Sequence, residues 1–110
     1  MKLSEIKGER VFDVIADIIE PCCNIAMDEK SAGLFKREKP EGMSPKDFAL
    51  SKVKNHLPSL LGEHKNDVIA IMCAMKGIKR DEYCEGLTMA SLVGDIFEMV
   101  TDEDLLSFLS

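Results

Sequence analysis

Six residues of this sequence have side chains that could hold a metal ion or act as nucleophiles and bases: Cys22, Cys23, Cys73, Cys84, His56 and His64. A structural zinc site needs paired ligands two to four residues apart, so that one turn presents both of them to the ion. The first two cysteines are adjacent, the other two lie 11 positions apart, and the histidines lie eight positions apart. The sequence therefore predicts no metal site and no cofactor, and free, reduced, mostly buried thiols.

Nucleophilic catalysis finds little support in the same residues. An activated cysteine needs a neighbouring base and a group that orients that base. Cys73 falls in the most apolar stretch of the chain, where burial raises a thiol pKa, and Cys84 lies among acidic residues that disfavour a thiolate. The sequence also lacks the serine-hydrolase, zinc-protease, phosphate-binding and dinucleotide-binding motifs. We predict no catalytic residues and a protein that is not an enzyme.

The length and composition fit one small globular domain over 1–110. The chain has 110 residues, of which 45% are hydrophobic and 31% are charged, enough apolar material for one core. No apolar run approaches the roughly 20 residues of a membrane span, and the N-terminus lacks the apolar segment of a signal peptide. We therefore expect a soluble, cytoplasmic protein that does not bind a membrane.

The charge is unevenly distributed along the chain. The net charge is −6, which argues against a general nucleic-acid-binding surface. Residues 30–65, however, contain eight lysines and arginines against four acids, and the chain beyond Arg80 contains eight acids and no base. Ordinary solvated helix faces explain such a pattern. The alternative is a dipolar molecule suited to head-to-tail self-association or to binding a charged partner helix.

The N-terminal part predicts a helix followed by a break. One apolar stripe has the spacing of a buried helix face: Val11, Val14, Ile15, Ile18 and Ile19. Phe12 lies beside this stripe and could widen it. Pro21 interrupts the pattern, and because proline is tolerated in a first helical turn, it predicts a second short helix over 22–27 after a kink.

The clearest helix start in the sequence is at Ser44, a candidate N-cap followed by Pro45 at the first helical position and Asp47 at the third. The stripe that follows is Leu50, Val53, Leu57, Leu60 and Leu61. Pro58 lies within it and is expected to kink or split the helix near 55–57. Gly62 is the expected C-cap.

The C-terminal half predicts a central apolar helix near 63–76 that ends at Gly77, then one short turn over 80–85. Thr88 is expected to cap a further helix, in which Gly94 would allow close packing, and 101–104 reads as a second capping box. The stripe of that further helix is Met89, Leu92, Val93, Ile96, Phe97 and Val100. Together these segments predict an all-α fold, a compact bundle of about five to seven helices, several of them short.

Nine short strings spread over the chain are similar to those of a known family. They are MKLSEIKGER (1–10), DVIADIIEP (13–21), LFKRE (34–38), PEGM (40–43), KDF (46–48), PSLL (58–61), HKND (64–67), KGI (76–78) and LLSF (105–108). In this order they resemble the small tail assembly chaperones encoded by long-tailed phages and prophages of Gram-positive bacteria. None is a chemical motif, so their shared order carries the resemblance.

The resemblance implies a non-enzymatic chaperone of tail morphogenesis in the host cytoplasm that is absent from the finished virion. Its partners would be the tape measure protein, which such chaperones keep soluble, and the tail tube protein, whose subunits they help to recruit. Self-association is a further expectation, and no nucleic acid is expected as a partner. Many members of the family are also made in a longer, frameshifted form.

Partner contact is expected to use exposed apolar and charged positions of the middle and last helices. The candidate residues are Phe35, Lys36, Arg37, Lys39, Met43, Phe48, Phe97 and Phe108, with the three basic residues as steering charges. For each phenylalanine taken singly, a place in the core is the competing interpretation.

Two other classes of function stay open. The first is a small helical regulatory or adaptor protein, antitoxin-like or transcription-associated, whose basic recognition face would have to come from 36–54. The second is a thiol or metal-binding protein that uses the four cysteines. Salt-dependent retention on DNA would favour the first class, and bound zinc or iron would favour the second.

Overall fold

A computed structural model describes residues 5–35 and 40–109 of the chain, and their side chains through Ser107. This part of the chain contains no β-strand and seven α-helices: α1 (Arg10–Ala26), α2 (Glu29–Ala32), α3 (Pro45–Glu63), α4 (Lys65–Lys76), α5 (Arg80–Glu85), α6 (Met89–Thr101) and α7 (Glu103–Leu109). A 3-10 turn, Gly33–Phe35, continues α2. The predicted all-α fold of five to seven helices is confirmed.

The pairing of α1 with α4 forms the centre of the fold. The residues that α4 buries are Val68, Ile69, Ile71, Met72 and Met75. The residues that α1 buries against them include Val14, Ile18, Cys22 and Ile25. Each large apolar side chain buried in this way contributes about 1.5–3 kcal/mol. The predicted central apolar helix is thus confirmed, although it begins at residue 65 and not at 63.

The remaining elements are arranged around this pair. The 3-10 turn and α2 pack against α3 and place Leu34 and Phe35 in the core. At the other end of the chain, α7 packs against both α1 and α6 and buries Leu105 and Leu106. The C-terminal helices therefore return to the N-terminal one.

Three of the predicted helix ends are confirmed by the backbone and its caps. The hydroxyl of Ser44 accepts a hydrogen bond from the backbone N–H of Asp47 at 3.1 Å, which begins α3. Gly77 ends α4 in the left-handed conformation, with φ at 70°. Thr88 begins α6 with a capping box that it shares with Ser91.

The expected break at Pro21 is wrong, because α1 continues through it to Ala26. A proline inside a helix removes one backbone hydrogen bond, at a cost of about 3 kcal/mol. The buried face of α1 nevertheless extends across the proline, from Val14 and Ile18 to Cys22 and Ile25. Packing against α4 on both sides of Pro21 outweighs the lost bond and keeps the segment helical.

The helix α3 is likewise not split at 55–57, since it includes Pro58 and runs to Glu63. Because Pro58 has no N–H, the Lys54 carbonyl lacks its helical hydrogen-bond donor. Both residues are exposed, so water can donate to this carbonyl instead. Gly62 is a helical residue and not the C-cap. His64 ends α3 and also precedes the first residue of α4, so the two helices are joined by a single residue.

Two further expectations for the C-terminal half are corrected. The cap of α7 is Asp102 and not Thr101, because the Asp102 carboxylate accepts from the backbone N–H groups of Asp104 and Leu105. Thr101 still belongs to α6. Gly94 does not allow close packing: it is exposed, and a Cβ at this position would meet no atom within 4 Å.

Candidate functional site

An apolar stripe on α6 faces outward instead of into the core. Met89, Val93 and Phe97 lie four residues apart, on one side of the helix, and are 85%, 64% and 65% exposed. The neighbouring side of α6 is fixed by Ile96 and Met99, which are buried. The apolar stripe that the sequence places on this helix is therefore only partly buried, and Phe97, a predicted partner-contact residue, is exposed. Such a row of exposed apolar residues is typical of a protein contact surface.

Two other helices also leave apolar residues uncovered. On α1 these are Phe12, Ile15 and Ile19, of which Phe12 is 80% exposed and does not widen the buried face. On α3 they are Leu50, Val53 and Leu61. Leu60 is the only residue of this helix that is buried. The spacings of three and four residues on α1, and of three and eight on α3, place each set along one side of its helix.

An apolar groove of about 280 Å³ lies where the end of α3 meets α4 and the α5–α6 connection. Leu61 of α3 and Leu92 of α6 both line it. Its lining residues are Leu61, Lys65, Val68, Ile69, Cys84, Leu87 and Leu92. A single apolar side chain of a partner fits a groove of this size and composition.

The predicted partner-binding residues fall into different environments. Phe35 is 1% exposed and belongs to the core, so it cannot contact a partner in the folded protein. Met43 and Phe48 are half-buried, and the Phe48 ring lies 4.6 Å below the Lys52 ammonium. Phe97 is exposed. The other four, Lys36, Arg37, Lys39 and the side chain of Phe108, lie outside the described residues.

The four cysteines are less buried than expected. Cys22 is buried in the core, Cys73 is half-buried, and Cys23 and Cys84 are exposed. All are free thiols. Burial, together with the nearby Cys23 and Asp67, raises the pKa of Cys22 to about 12. A thiol with such a pKa stays protonated at neutral pH and is a poor nucleophile.

Cys73 lines a cleft of about 740 Å³ between α1, α4 and α5. Burial is the main cause that raises the pKa of its thiol, followed by the proximity of Cys84. Across this cleft the Arg10 guanidinium donates a hydrogen bond of 2.8 Å to the Met75 carbonyl and so ties the start of α1 to the end of α4. The cleft is thus bridged by a structural contact.

A polar cluster that the sequence reasoning missed surrounds His64. Its Nδ1 lies 2.9 Å from Asp67 Oδ2, and its Nε2 lies 2.8 Å from Asp28 Oδ2. Burial acts to lower the pKa of His64, but the hydrogen bonds and charges of Asp67 and Asp28 outweigh it and hold the pKa above 6.5. The contact with His64 is in turn the main cause that lowers the pKa of Asp28.

Glu63 completes this cluster from the last turn of α3. One ligand atom from each of Asp28, Glu63 and His64 lies within 4.8 Å of the others. The spacing of His64 and Asp67 within one turn is a sequence signal for part of the cluster. Asp28 lies 36 positions before His64, and only the fold brings it there.

Comparisons with known proteins assign no role to either surface. No protein-family model, curated protein or solved structure matches the chain. Among the described helices, none combines the length and the apolar character that crossing a membrane requires.

Proposed function

We propose that this chain is a non-enzymatic phage tail assembly chaperone, which binds the tape measure protein and helps to recruit tail tube subunits around it. The observation that carries the proposal is the exposed stripe of Met89, Val93 and Phe97 on α6. It supplements the family-like strings along the sequence. A long helical partner binds such a surface by laying its own apolar face along it.

The dimensions of the stripe suit a helical partner. Eight residues separate Met89 from Phe97, which corresponds to about 12 Å along the helix axis at 1.5 Å per residue. A partner helix that crosses this stripe would cover two to three turns. Covering the apolar face of an unassembled tape measure protein would prevent that face from aggregating. The tape measure protein would then be released from the chaperone when tube subunits bind.

Co-expression with the protein encoded immediately downstream tests the proposal. We expect a long, helical protein that is insoluble alone and becomes soluble and co-purifies when this chain is present. Added tail tube protein should then join the complex only when the chaperone is present. A downstream product that gains no solubility and does not co-purify would refute the proposal.

A pair of variants distinguishes the α6 surface from general stickiness. Val93→Gln with Phe97→Gln removes two exposed residues of α6, and Phe12→Gln removes a residue of similar exposure on α1. We expect the α6 double variant to weaken capture at least tenfold, about 1.4 kcal/mol, because aromatic anchors dominate such contacts. Equal losses in both variants would show that α6 is not the specific surface.

A further inference from the structure

We propose that Asp28, Glu63 and His64 bind a divalent transition-metal ion of the Zn²⁺ type, where the α1–α2 connection meets the junction of α3 and α4. The three residues supply two carboxylates and an imidazole, which are ligands that Zn²⁺ accepts. The site lies apart from the exposed apolar stripe of α6 and is independent of the proposed chaperone function.

The distances between the ligand atoms suit one ion. Around a tetrahedral Zn²⁺ with bonds of about 2.0–2.2 Å, neighbouring ligand atoms lie roughly 3.3–3.6 Å apart. His64 Nε2 and Asp28 Oδ2 are 2.8 Å apart, and the three ligand atoms fall within 4.8 Å of one another. Side-chain rotations that separate the 2.8 Å pair by about 0.5–0.8 Å and bring the third ligand atom closer by at most about 1.5 Å would place an ion between them.

The two carboxylates lie close enough to share one ion. A carboxylate oxygen of Asp28 and one of Glu63 lie within 4.8 Å of each other and of a ring nitrogen of His64. A divalent cation between two carboxylate oxygens attracts both of them. His64 Nε2 supplies the third direction of approach.

Asp67 holds the imidazole in the orientation that a metal ligand needs. Its Oδ2 lies 2.9 Å from His64 Nδ1 and can accept the Nδ1 proton, so that a bound ion would take the place of the Nε2 proton that is otherwise donated to Asp28. Asn24 in turn donates a hydrogen bond of 3.1 Å to Asp67 Oδ1. Carboxylates that orient a metal-binding histidine in this way are the usual outer partners of such ligands.

The surroundings of the cluster allow an ion to enter and give its binding a measurable effect. Glu63 is exposed, so one side of the cluster is open to solvent and to a water ligand. Asp28 caps α2, Glu63 lies at the end of α3, and His64 precedes α4. An ion held by all three would connect these helices and raise the thermal stability of the fold.

Titration calorimetry with Zn²⁺ alone tests the site, in the full chain with its exposed thiols blocked by a maleimide. We expect one ion per chain and a higher melting temperature. Co²⁺ serves as a spectroscopic probe, and we expect d–d bands without a thiolate charge-transfer band, because the ligands are nitrogen and oxygen. Mg²⁺ should bind much more weakly, since it accepts imidazole poorly.

Three conservative variants locate the ion. Glu63→Gln and Asp28→Asn should each weaken binding at least tenfold, and Asn at 28 keeps the oxygen that caps α2. Asp67→Asn should weaken binding about tenfold through the imidazole alone. Glu85→Gln, an exposed residue of the same type on α5, should leave binding unchanged.

Each result decides for or against the site. Selective weakening by the cluster variants supports it. Wild-type affinity in both Glu63→Gln and Asp28→Asn, a thiolate band with Co²⁺, or no Zn²⁺ binding at millimolar concentration would overturn it.

Discussion

Asp95 is a buried carboxylate that connects three helices through its two oxygens. Its Oδ2 accepts a hydrogen bond of 2.6 Å from the Tyr83 hydroxyl of α5, and its Oδ1 lies 3.1 Å from the Lys76 ammonium of α4. We predict that Tyr83→Phe lowers the free energy of unfolding by about 1.5–3 kcal/mol, the value of a hydrogen bond to a charged group. Urea denaturation measures the change.

A double-mutant cycle assigns this loss to the carboxylate. In an Asp95→Asn background, Tyr83→Phe should cost clearly less, because the charged acceptor is already absent. The pKa of the Tyr83 hydroxyl is a second indicator of this coupling, because burial raises it and the hydrogen bond and charge of Asp95 raise it further. An equal cost of Tyr83→Phe in both backgrounds would mean that the two side chains are not coupled.

The thiols differ in burial, so we predict that they react in a fixed order. The thiolate is the reactive form, and the pKa of Cys22 is raised to about 12, so this residue stays a thiol throughout pH 7–9. Cys23 and Cys84 are exposed and should react first with a maleimide, while Cys73 reacts slowly. Mass spectrometry of timed samples determines the order in which the cysteines are labelled. Cys22 should react only after denaturation, and its early labelling in the native protein would contradict the described packing of α1 on α4.

At the scale of the helices, two glycines should respond in opposite ways to alanine. A Cβ at Gly33 would overlap the imidazole of His56, whose Nδ1 donates a hydrogen bond of 2.7 Å to the Lys30 carbonyl. We predict that Gly33→Ala destabilises the fold by about 1–3 kcal/mol through this overlap.

Gly94 is the matched control, because a Cβ there meets no atom within 4 Å and the residue lies inside α6. Gly94→Ala should stabilise the fold by about 0.5–1 kcal/mol, since alanine loses less backbone entropy in a helix. Denaturation of the two variants under the same conditions compares them. A stabilising Gly33→Ala would show that His56 can move aside without loss.

Local signals are sufficient to predict where several helices begin and end. Ser44, Gly77 and Thr88 act on backbone groups within a few positions of themselves, so the sequence alone identifies them. Pro21 is misleading because its effect depends on packing with α4, which is distant in the sequence. A rule that considers only the residues next to a proline cannot include the free energy of packing against a distant helix.

The candidate sites are harder to predict than the helix ends. Periodicity finds the apolar side of α6, but it does not tell whether another helix covers Val93 and Phe97. The cluster at His64 needs Asp28, which only the tertiary fold brings within 2.8 Å. Both surfaces therefore depend on the arrangement of helices that no short segment encodes.

At the scale of the whole molecule, the uneven charge distinguishes a chaperone that binds a partner helix from a regulatory protein that binds nucleic acid. Residues 30–65 carry an excess of positive charge, whereas the whole chain carries −6. Screening confines the influence of an exposed charge to about 10 Å at 0.1 M salt. Residues 30–65 can thus attract an acidic stretch of a partner helix nearby. A DNA duplex is longer than the molecule, so its phosphates would also lie near the acidic residues outside 30–65, which repel them.

We therefore predict that the protein is not retained on double-stranded DNA at physiological salt. Binding driven by phosphate contacts weakens steeply as salt rises, and a chain with net negative charge should elute below about 0.15 M NaCl. Affinity chromatography over a salt gradient measures the elution point. The variant Lys52→Gln with Lys54→Gln, which removes two bases of the middle segment, should elute at nearly the same salt concentration as the wild type. If instead the wild type stays bound well above this concentration and the variant elutes early, then 36–54 is a nucleic-acid-binding face, and the regulatory class of function replaces the chaperone.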